Sequence, residues 1–441
     1  MPEIGPPHPL TYRSEVTTPL FDAIHSGDSS VIVGAASMGK SRLAHFLQRA
    51  DVQHHYLADR YDKTLIVWCD CNRMAQISEW GLYEIMLTGL LESASERDAA
   101  PDLCAELSKL RAESVVAQNA LLAQRNLEWA AQLASRRWVL CIILDEFDET
   151  FRALPPQALA NLRALRDRNR YSLCYTLLVR DTLARLRPQN DVEGFGDLFM
   201  RPAIGLGPYQ QDDAQRVLQQ LAERKHKTLS PSMCAHLLDL SGGHPGLLVA
   251  LVDAVEDPVI EDAVPQNPLE LQPIRNECAK LWRGLAHDEQ QALNHLAQDI
   301  AVADKDTLAV LQLKGLLHNA HQNSCAIFTP LFAQYAAMQN TSTDRLWVDT
   351  DACAVYVGQK KIEGFAAKEF ALLTYLYAHL NHVCKRQELL AHLYPDDKLL
   401  APSDNRLDSL VKRTRKRLGE NNHAPKYLVT VQSVGFKLLE A

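Results

Sequence analysis

Apolar runs of strand length alternate with helical stretches over the first half of the chain. Ser30–Val33, Leu65–Cys69, Trp138–Leu144 and Leu173–Val179 are nearly continuous in apolar residues, with a shorter fifth run at Ala203-Ile204-Gly205-Leu206. Such runs predict strands covered on both faces, and their alternation with helices predicts a parallel sheet. Thr18 to His25 predicts a short leading helix. Residues 76–137, rich in Ala, Leu, Glu and Arg, predict helices throughout. They form an insertion that either meets a partner or, more simply, packs on its own domain. From about residue 209 the strand pattern stops. Gln211–Arg224, Ser230–Leu240 and Gly246–Val255 then predict three helices of a small lid.

Prolines and acids (Glu256-Asp257-Pro258, Pro265, Pro268) mark residues 256–269 as a linker. Residues 270–340 predict two or three helices, then a hairpin from Leu313-Lys314-Gly315-Leu316-Leu317 and Ala326-Ile327-Phe328. Helices followed by a hairpin are a winged-helix pattern. Gln339-Asn340-Thr341-Ser342-Thr343-Asp344 is a second polar linker. Beyond it, short strands are predicted at Leu346-Trp347-Val348, Ala354–Val357 and Lys361-Ile362. A helix follows from Ala367 to Leu376, a second opens at Val383, and a third runs from Ser403 to Leu418. Tyr427–Val431 and Gly435–Leu438 predict a closing hairpin. The expected fold class is multidomain, α/β plus α+β. The core spans 1–207 with the 76–137 insertion, the lid 208–258, a winged helix 268–340 and a second winged helix 345–441.

A chain of 441 residues suits about three domains, and 47% hydrophobic with 23% charged residues is ordinary for a globular protein. Met1-Pro2-Glu3-Ile4-Gly5-Pro6-Pro7 has no basic stretch leading into an apolar one, and no apolar run reaches the ~20 residues of a membrane span. The ten cysteines form no C-x-x-C and no zinc spacing with histidine. Cys69-Asp70-Cys71 is either a redox or metal site or, more simply, a strand end. Reduced thiols, a cytoplasmic location and no membrane partner are expected. The net charge of −8 is unevenly spread. Residues 341–441 hold 15 Lys/Arg against 12 Asp/Glu, net +3; the rest hold 31 against 42, net −11. A basic end on an acidic body points to nucleic acid.

Gly34-Ala35-Ala36-Ser37-Met38-Gly39-Lys40-Ser41 fits G-x-x-x-x-G-K-[ST], after one predicted strand and before a helix that opens at Arg42. That order is what a phosphate-binding loop needs, because its backbone N–H groups must turn inward. Gly34, Ser37 and Gly39 shape the loop, Lys40 reaches the β- and γ-phosphates, Ser41 holds Mg²⁺, and Arg42 is a further candidate nucleotide contact. The third strand ends in Asp145-Glu146, giving a carboxylate for Mg²⁺ and one to orient or deprotonate water. Asp148 and Glu149 are expected at the surface. Arg180, after the fourth strand, is a candidate contact to the γ-phosphate. No Asn-Lys-x-Asp for guanine is present, so ATP or ADP is the expected nucleotide. Gly242-Gly243-His244-Pro245-Gly246 starts a lid helix. On these segments, residues 15–340 resemble the signal-transduction ATPases that include NACHT and NB-ARC switches, and their archaeal relatives. The resemblance implies that Pro245 packs on the adenine, with His244 beside the nucleotide.

The C-terminal segment carries Lys368-Glu369-Phe370, Leu372-Leu373, Thr430-Val431 and Gly435-Phe436-Lys437-Leu438, and resembles OmpR/PhoB-type winged helices. That resemblance implies a third helix in the major groove and a wing in the minor groove of double-stranded DNA. Leu407, Leu410, Val411 and Leu418 recur on one face as core. Arg406, Lys412, Arg413, Arg415, Lys416 and Arg417 are the cations for phosphates and base edges. Ser403 or Asp404 would cap the helix. Where the family's wing has arginine and glycine, this chain has Gln432 and Ser433. Asp408 matches an acid common in the family.

The expectation is an ATP-binding switch that controls DNA binding and transcription, with slow hydrolysis as reset and a nucleotide-dependent homo-oligomer. A stress or defence sensor whose winged helix binds protein stays open, as does an initiator-like DNA-remodelling ATPase.

Overall fold

A computed structural model describes residues 8–97, 101–188, 191–255, 267–319, 325–339, 346–349, 354–357, 360–380, 382–394, 404–420, 425–431 and 434–439. The chain divides into two compact units, Met1–Gln339 and Asn340–Ala441.

In the first unit five strands form one parallel sheet: β1 (Ser30–Val33), β2 (Thr64–Asp70), β3 (Val139–Asp145), β4 (Leu173–Val179) and β5 (Ile204–Gly205), in the order β2-β3-β4-β1-β5. β4 lies between β3 and β1, with Val33 opposite Val179 and Leu144 opposite Leu177. Because all strands are parallel, their carboxyl ends share one edge, where α/β ligands collect. This architecture is that of a P-loop ATPase sheet, as the apolar runs predict. The fifth strand is shorter than its apolar run.

Alternate strand residues feed two cores. Ile32, Cys141, Ile143, Cys174 and Leu178 face one side, with α1 (Ser14–Ser26), the lid helices and the helices after them. Val33, Leu140, Ile142, Leu144, Tyr175 and Leu177 face the other, where Leu82, Met86, Leu107, Leu127 and Ala131 of the insertion cover them. The insertion therefore packs on its own domain. Its three helices are Glu79–Glu96, Pro101–Ala117 and Ala120–Ser135.

The segment after the lid is joined to the core by close backbone packing and buried charge. A Cβ on Gly205 would lie 2.1 Å from the Leu313 carbonyl oxygen, so only glycine lets that helix end cover the sheet edge. Lys314, fully buried, reaches Glu289 Oε1 at 2.6 Å and Asp181 Oδ2 at 3.2 Å. Burial raises the Glu289 pKa against the pull of Lys314. Arg185 beside it holds Asp288 at 2.5 Å.

The second unit has an antiparallel sheet of Leu346–Asp349, Ala354–Val357 and Lys360–Ile362, and a second of Val383–Lys385, Gly435–Leu438 and Leu428–Val431. Helices Ala367–Ala378, Arg386–Leu393 and Asp404–Leu418 pack between them on Leu372, Leu376, Leu389, Leu407, Leu410 and Phe436. The second helix does not open at Val383. Val383–Lys385 pairs with Gly435–Lys437 as a strand, and the helix starts at Arg386. The family of elements is a winged helix. Ser403, Gln432 and Ser433 lie outside the described residues, and nothing is described of the Asp404 side chain.

Removing Lys314 leaves a buried carboxylate without its counter-charge. Lys314→Met is expected to cost about 3–5 kcal/mol, and adding Glu289→Gln should restore most of it, as measured by denaturant unfolding of the full chain.

Candidate nucleotide site and nucleic-acid interface

The loop Gly34–Gly39 leaves β1 and turns back into the helix Lys40–Gln48. Ser37 (φ 59°) and Gly39 (φ 88°) both sit in the left-handed region, which turns successive N–H groups toward one point. The loop is held from below. Gly34 N–H donates to the Val179 carbonyl at 3.0 Å. Arg13, 1% exposed, donates from Nη2 to the Met38 carbonyl (2.9 Å) and from Nη1 to the carbonyls of Gly207 (2.7 Å) and Pro208 (2.9 Å). Its guanidinium lies 4.1 Å from the Tyr209 ring centre, and its own N–H donates to Asp213 of the lid at 2.8 Å. Arg13 thus ties loop, sheet edge and lid together. A single arginine far from the motif gives no sequence signal for this.

A cleft of about 550 Å³ opens over the loop. It is lined by Ala36 to Ser41 of the loop, by Glu146 and Arg180, and by Lys280, Arg283 and Gly284. Lys40 is buried, and its Nζ donates to the Gly34 carbonyl at 3.0 Å; burial lowers its pKa while the nearby carboxylates oppose this. Asp145 ends β3, 6% exposed, with Oδ1 accepting the Glu146 N–H at 2.9 Å. Burial first, then the Glu146 charge, push its pKa up to about 6. Glu146 holds a left-handed backbone (φ 49°), a strained conformation for that residue. Its Oε2 pairs with Arg180 Nη2 at 2.7 Å.

Gly34, Arg42, Asp145, His244 and Pro245 do not line the cleft. His244 is fully buried: the Leu247 N–H donates to its Nδ1 at 3.1 Å, which leaves the proton on Nε2 facing the Ala36 carbonyl at 3.4 Å. Burial lowers its pKa to about 4, so it is neutral. It braces the phosphate loop from the lid side. Pro245 packs there as well, 3.7 Å from where a Gly39 Cβ would lie. Arg42 donates to the Tyr209 hydroxyl at 3.1 Å.

Asp148 is not at the surface. It is 4% exposed, Oδ1 accepts the Arg180 N–H at 2.7 Å, and Oδ2 has no hydrogen-bond partner. Burial raises its pKa. An orphaned carboxylate oxygen a few residues past Asp145 fits a site that takes up a cation or an ordered water. Among the described residues no group of three or more His, Cys, Asp or Glu could hold a metal unaided. Ser41 and Asp145 can hold Mg²⁺ only together with phosphate oxygens, which is how that ion is commonly bound. Glu149 is exposed beside Arg152.

In the second unit, the helix Asp404–Leu418 buries Leu407, Leu410, Val411, Thr414 and Leu418. Arg406, Lys412, Arg413, Lys416 and Arg417 are exposed. Arg413 and Arg417 flank Glu369 at 3.7 and 3.6 Å. Arg415, expected among the DNA-facing cations, is instead only 7% exposed, and its Nε and Nη2 donate to the Leu428 carbonyl (2.8 and 2.6 Å), with Nη2 also on Thr430 Oγ1. It pins the hairpin to the helix instead of facing a phosphate. Asp408 pairs with Arg386 at 2.6 Å, so its charge is compensated within the fold.

Residues 360–438 match the family described as transcriptional regulatory protein, C terminal. Among solved structures, the chain is similar to the RstA DNA-binding domain of Klebsiella pneumoniae in complex with the RstA box, at 24% identity, 23% of this chain, 96% of that one and a TM-score of 0.21. It is also similar to a Walker-type ATPase of Pyrococcus abyssi (16% identity, 74% of this chain, 95% of that one, TM-score 0.46). The third is the ORC2 protein of Aeropyrum pernix in its ADPNP–ADP complexes (15%, 76% and 95%, TM-score 0.43). No curated protein sequence matches the chain. No described helix is long and apolar enough to cross a membrane.

Two outcomes are expected. The folded state binds a proton at Asp145 more tightly than the unfolded chain, so stability falls as pH rises from about 4 to about 6. Asp145→Asn should therefore stabilise the nucleotide-free protein by up to about 3 kcal/mol at pH 7.5, and by little near pH 4, in calorimetry at both pH values. In the second unit, Arg415→Ala should cost about 2–3 kcal/mol, while Lys412→Ala and Lys416→Ala stay within about 0.5 kcal/mol, read by thermal unfolding.

Proposed function

We propose that this chain is a nucleotide-controlled DNA-binding regulator of transcription. The observation that carries the reading is the pairing, in one chain, of two features. One is a left-handed phosphate loop with a buried Lys40, facing Asp145 and Glu146. The other is a C-terminal unit matching the transcription-regulator family and exposing a basic helix. Neither part alone needs the other, and their union is what a switch requires.

ATP or ADP occupies the cleft in this reading. Loop N–H groups and the Lys40 ammonium take the β- and γ-phosphates. Ser41 and Asp145 hold Mg²⁺, which when bound neutralises charge shared by those phosphates. Glu146 orients the attacking water and Arg180 meets the γ-phosphate. The Glu146–Arg180 pair at 2.7 Å sets the order of events. While Arg180 holds Glu146, the carboxylate is not available to a water. A γ-phosphate competes for Arg180 and releases Glu146. Hydrolysis is slow because that exchange must come first.

At the DNA, Lys412, Arg413, Lys416 and Arg417 contact phosphates and base edges from the exposed face of the Asp404–Leu418 helix. Arg406 works from its start, beside the Tyr394 ring. A fit through about five phosphates predicts an affinity that falls by roughly 100- to 1000-fold between ~50 and ~200 mM salt.

The test is selection of genomic DNA fragments by the full chain with ATP, ADP or no nucleotide, beside Lys40→Ala. Enriched fragments whose recovery depends on nucleotide in the wild type, and no longer depend on it in Lys40→Ala, are expected. No enrichment in any state would transfer the winged helix to a protein partner. Mg·ATP affinity should also fall as pH drops through about 6, where Asp145 takes up its proton, as titration calorimetry across that range would show.

A further inference from the structure

We infer that Lys280 and Arg283 are ligands of the terminal phosphate of a bound nucleoside triphosphate, so that the helix after the lid reads the difference between ATP and ADP. The inference rests on the proposed nucleotide site and adds residues outside every motif of it. Both lie at the end of the helix Gln272–Arg283, more than 230 positions from the phosphate loop, yet they line its cleft together with Glu146 and Arg180. Gly284 brings that helix end to the loop itself: a Cβ there would stand 3.4 Å from Ala36 Cβ.

Three observations point to phosphate. First, both side chains are exposed to the cleft, and neither has a carboxylate partner among the described residues; Arg283 makes only an Nε bond to the Ala279 carbonyl of its own helix, at 3.2 Å. Second, the helix presents its carboxyl end here, and that end carries partial negative charge that repels an anion. Cations in its last turn reverse the sign. Third, the lining of the cleft is cationic: Lys40, Arg180, Lys280 and Arg283 stand against the carboxylate Glu146, an excess of positive charge that suits a polyphosphate. The positive charge of Lys280 also reaches His244 behind the loop, where it adds to burial in keeping that ring neutral.

A triphosphate would therefore bridge Lys40 and Arg180 on the core to Lys280 and Arg283 on the segment that follows the lid. A diphosphate, one phosphate shorter, would leave the bridge unmade.

The test compares ATP, ADP and AMP binding by calorimetry in the full-length wild type, Lys280→Ala, Arg283→Ala, the double variant and Lys40→Ala. Both positions are exposed, so the melting temperature should hold and separates lost folding from lost contact. The double variant is expected to lose about 10- to 100-fold in ATP affinity and under about 3-fold in ADP affinity, with Lys280→Arg retaining the preference. ATP, and not ADP, should slow amide exchange over 272–284 in the wild type. Equal losses for ATP and ADP, or no loss, would overturn the assignment. A wild type that binds no nucleotide, or a Lys40→Ala variant that binds as well as wild type, would instead overturn the nucleotide site on which it rests.

Discussion

The placement of β4 between β1 and β3 governs the rest of the first unit. Two strand spacings separate the loop Gly34–Gly39 from Asp145, roughly 10 Å, room that the proposed phosphates and hydrated cation would fill. The intervening strand delivers Arg180 into that gap. Its neighbour Asp181 is held by the buried Lys314, which also holds Glu289. One strand end thus carries the Arg180 side chain into the cleft and, one residue on, an anchor for the segment beyond the lid.

Stability is surrendered around the cleft. Ser37 and Glu146 adopt left-handed backbone, Lys40 is buried away from bulk water, and Asp145 and Asp148 are desolvated carboxylates. Each costs free energy, and in the proposed reading a magnesium nucleotide offsets several of these costs together. Closure of the surrounding parts is compensated elsewhere: by Arg13, which satisfies three carbonyls at the junction of loop, sheet and lid, and by the two apolar cores on either face of the sheet.

Much of this was legible in the chain. The four apolar runs become the four long strands, with Leu173–Val179 a strand over the same residues, because a strand buried on both faces must be apolar at every position. The loop, Asp145-Glu146 and Arg180 follow from strand ends plus spacing. What the sequence hides is tertiary. Arg13, Lys280 and Arg283 gain their roles from packing between distant segments and sit in no local pattern. Asp148 reads as one more acid in an acidic run, and only the fold shows that Arg180's backbone occupies one of its oxygens. Arg415 reads as one cation of a basic run. It turns inward because the Leu428 carbonyl lies within reach on the hairpin, a contact across the fold. Val383–Lys385 reads as the start of a helix, and its pairing with Gly435–Lys437, some fifty residues on, makes it a strand.

If nucleotide and DNA are coupled, the coupling is reciprocal: whatever factor ATP imposes on DNA affinity, DNA must impose on ATP affinity. The most direct measurement is the ATP and ADP dissociation constants of the full chain with and without a saturating duplex selected by the chain itself. A ratio of ATP to ADP affinity that changes about 5- to 150-fold on adding the duplex is the predicted result. A ratio that does not move would contradict the account, leaving an ATPase and a DNA-binding unit that share a chain but not a free energy.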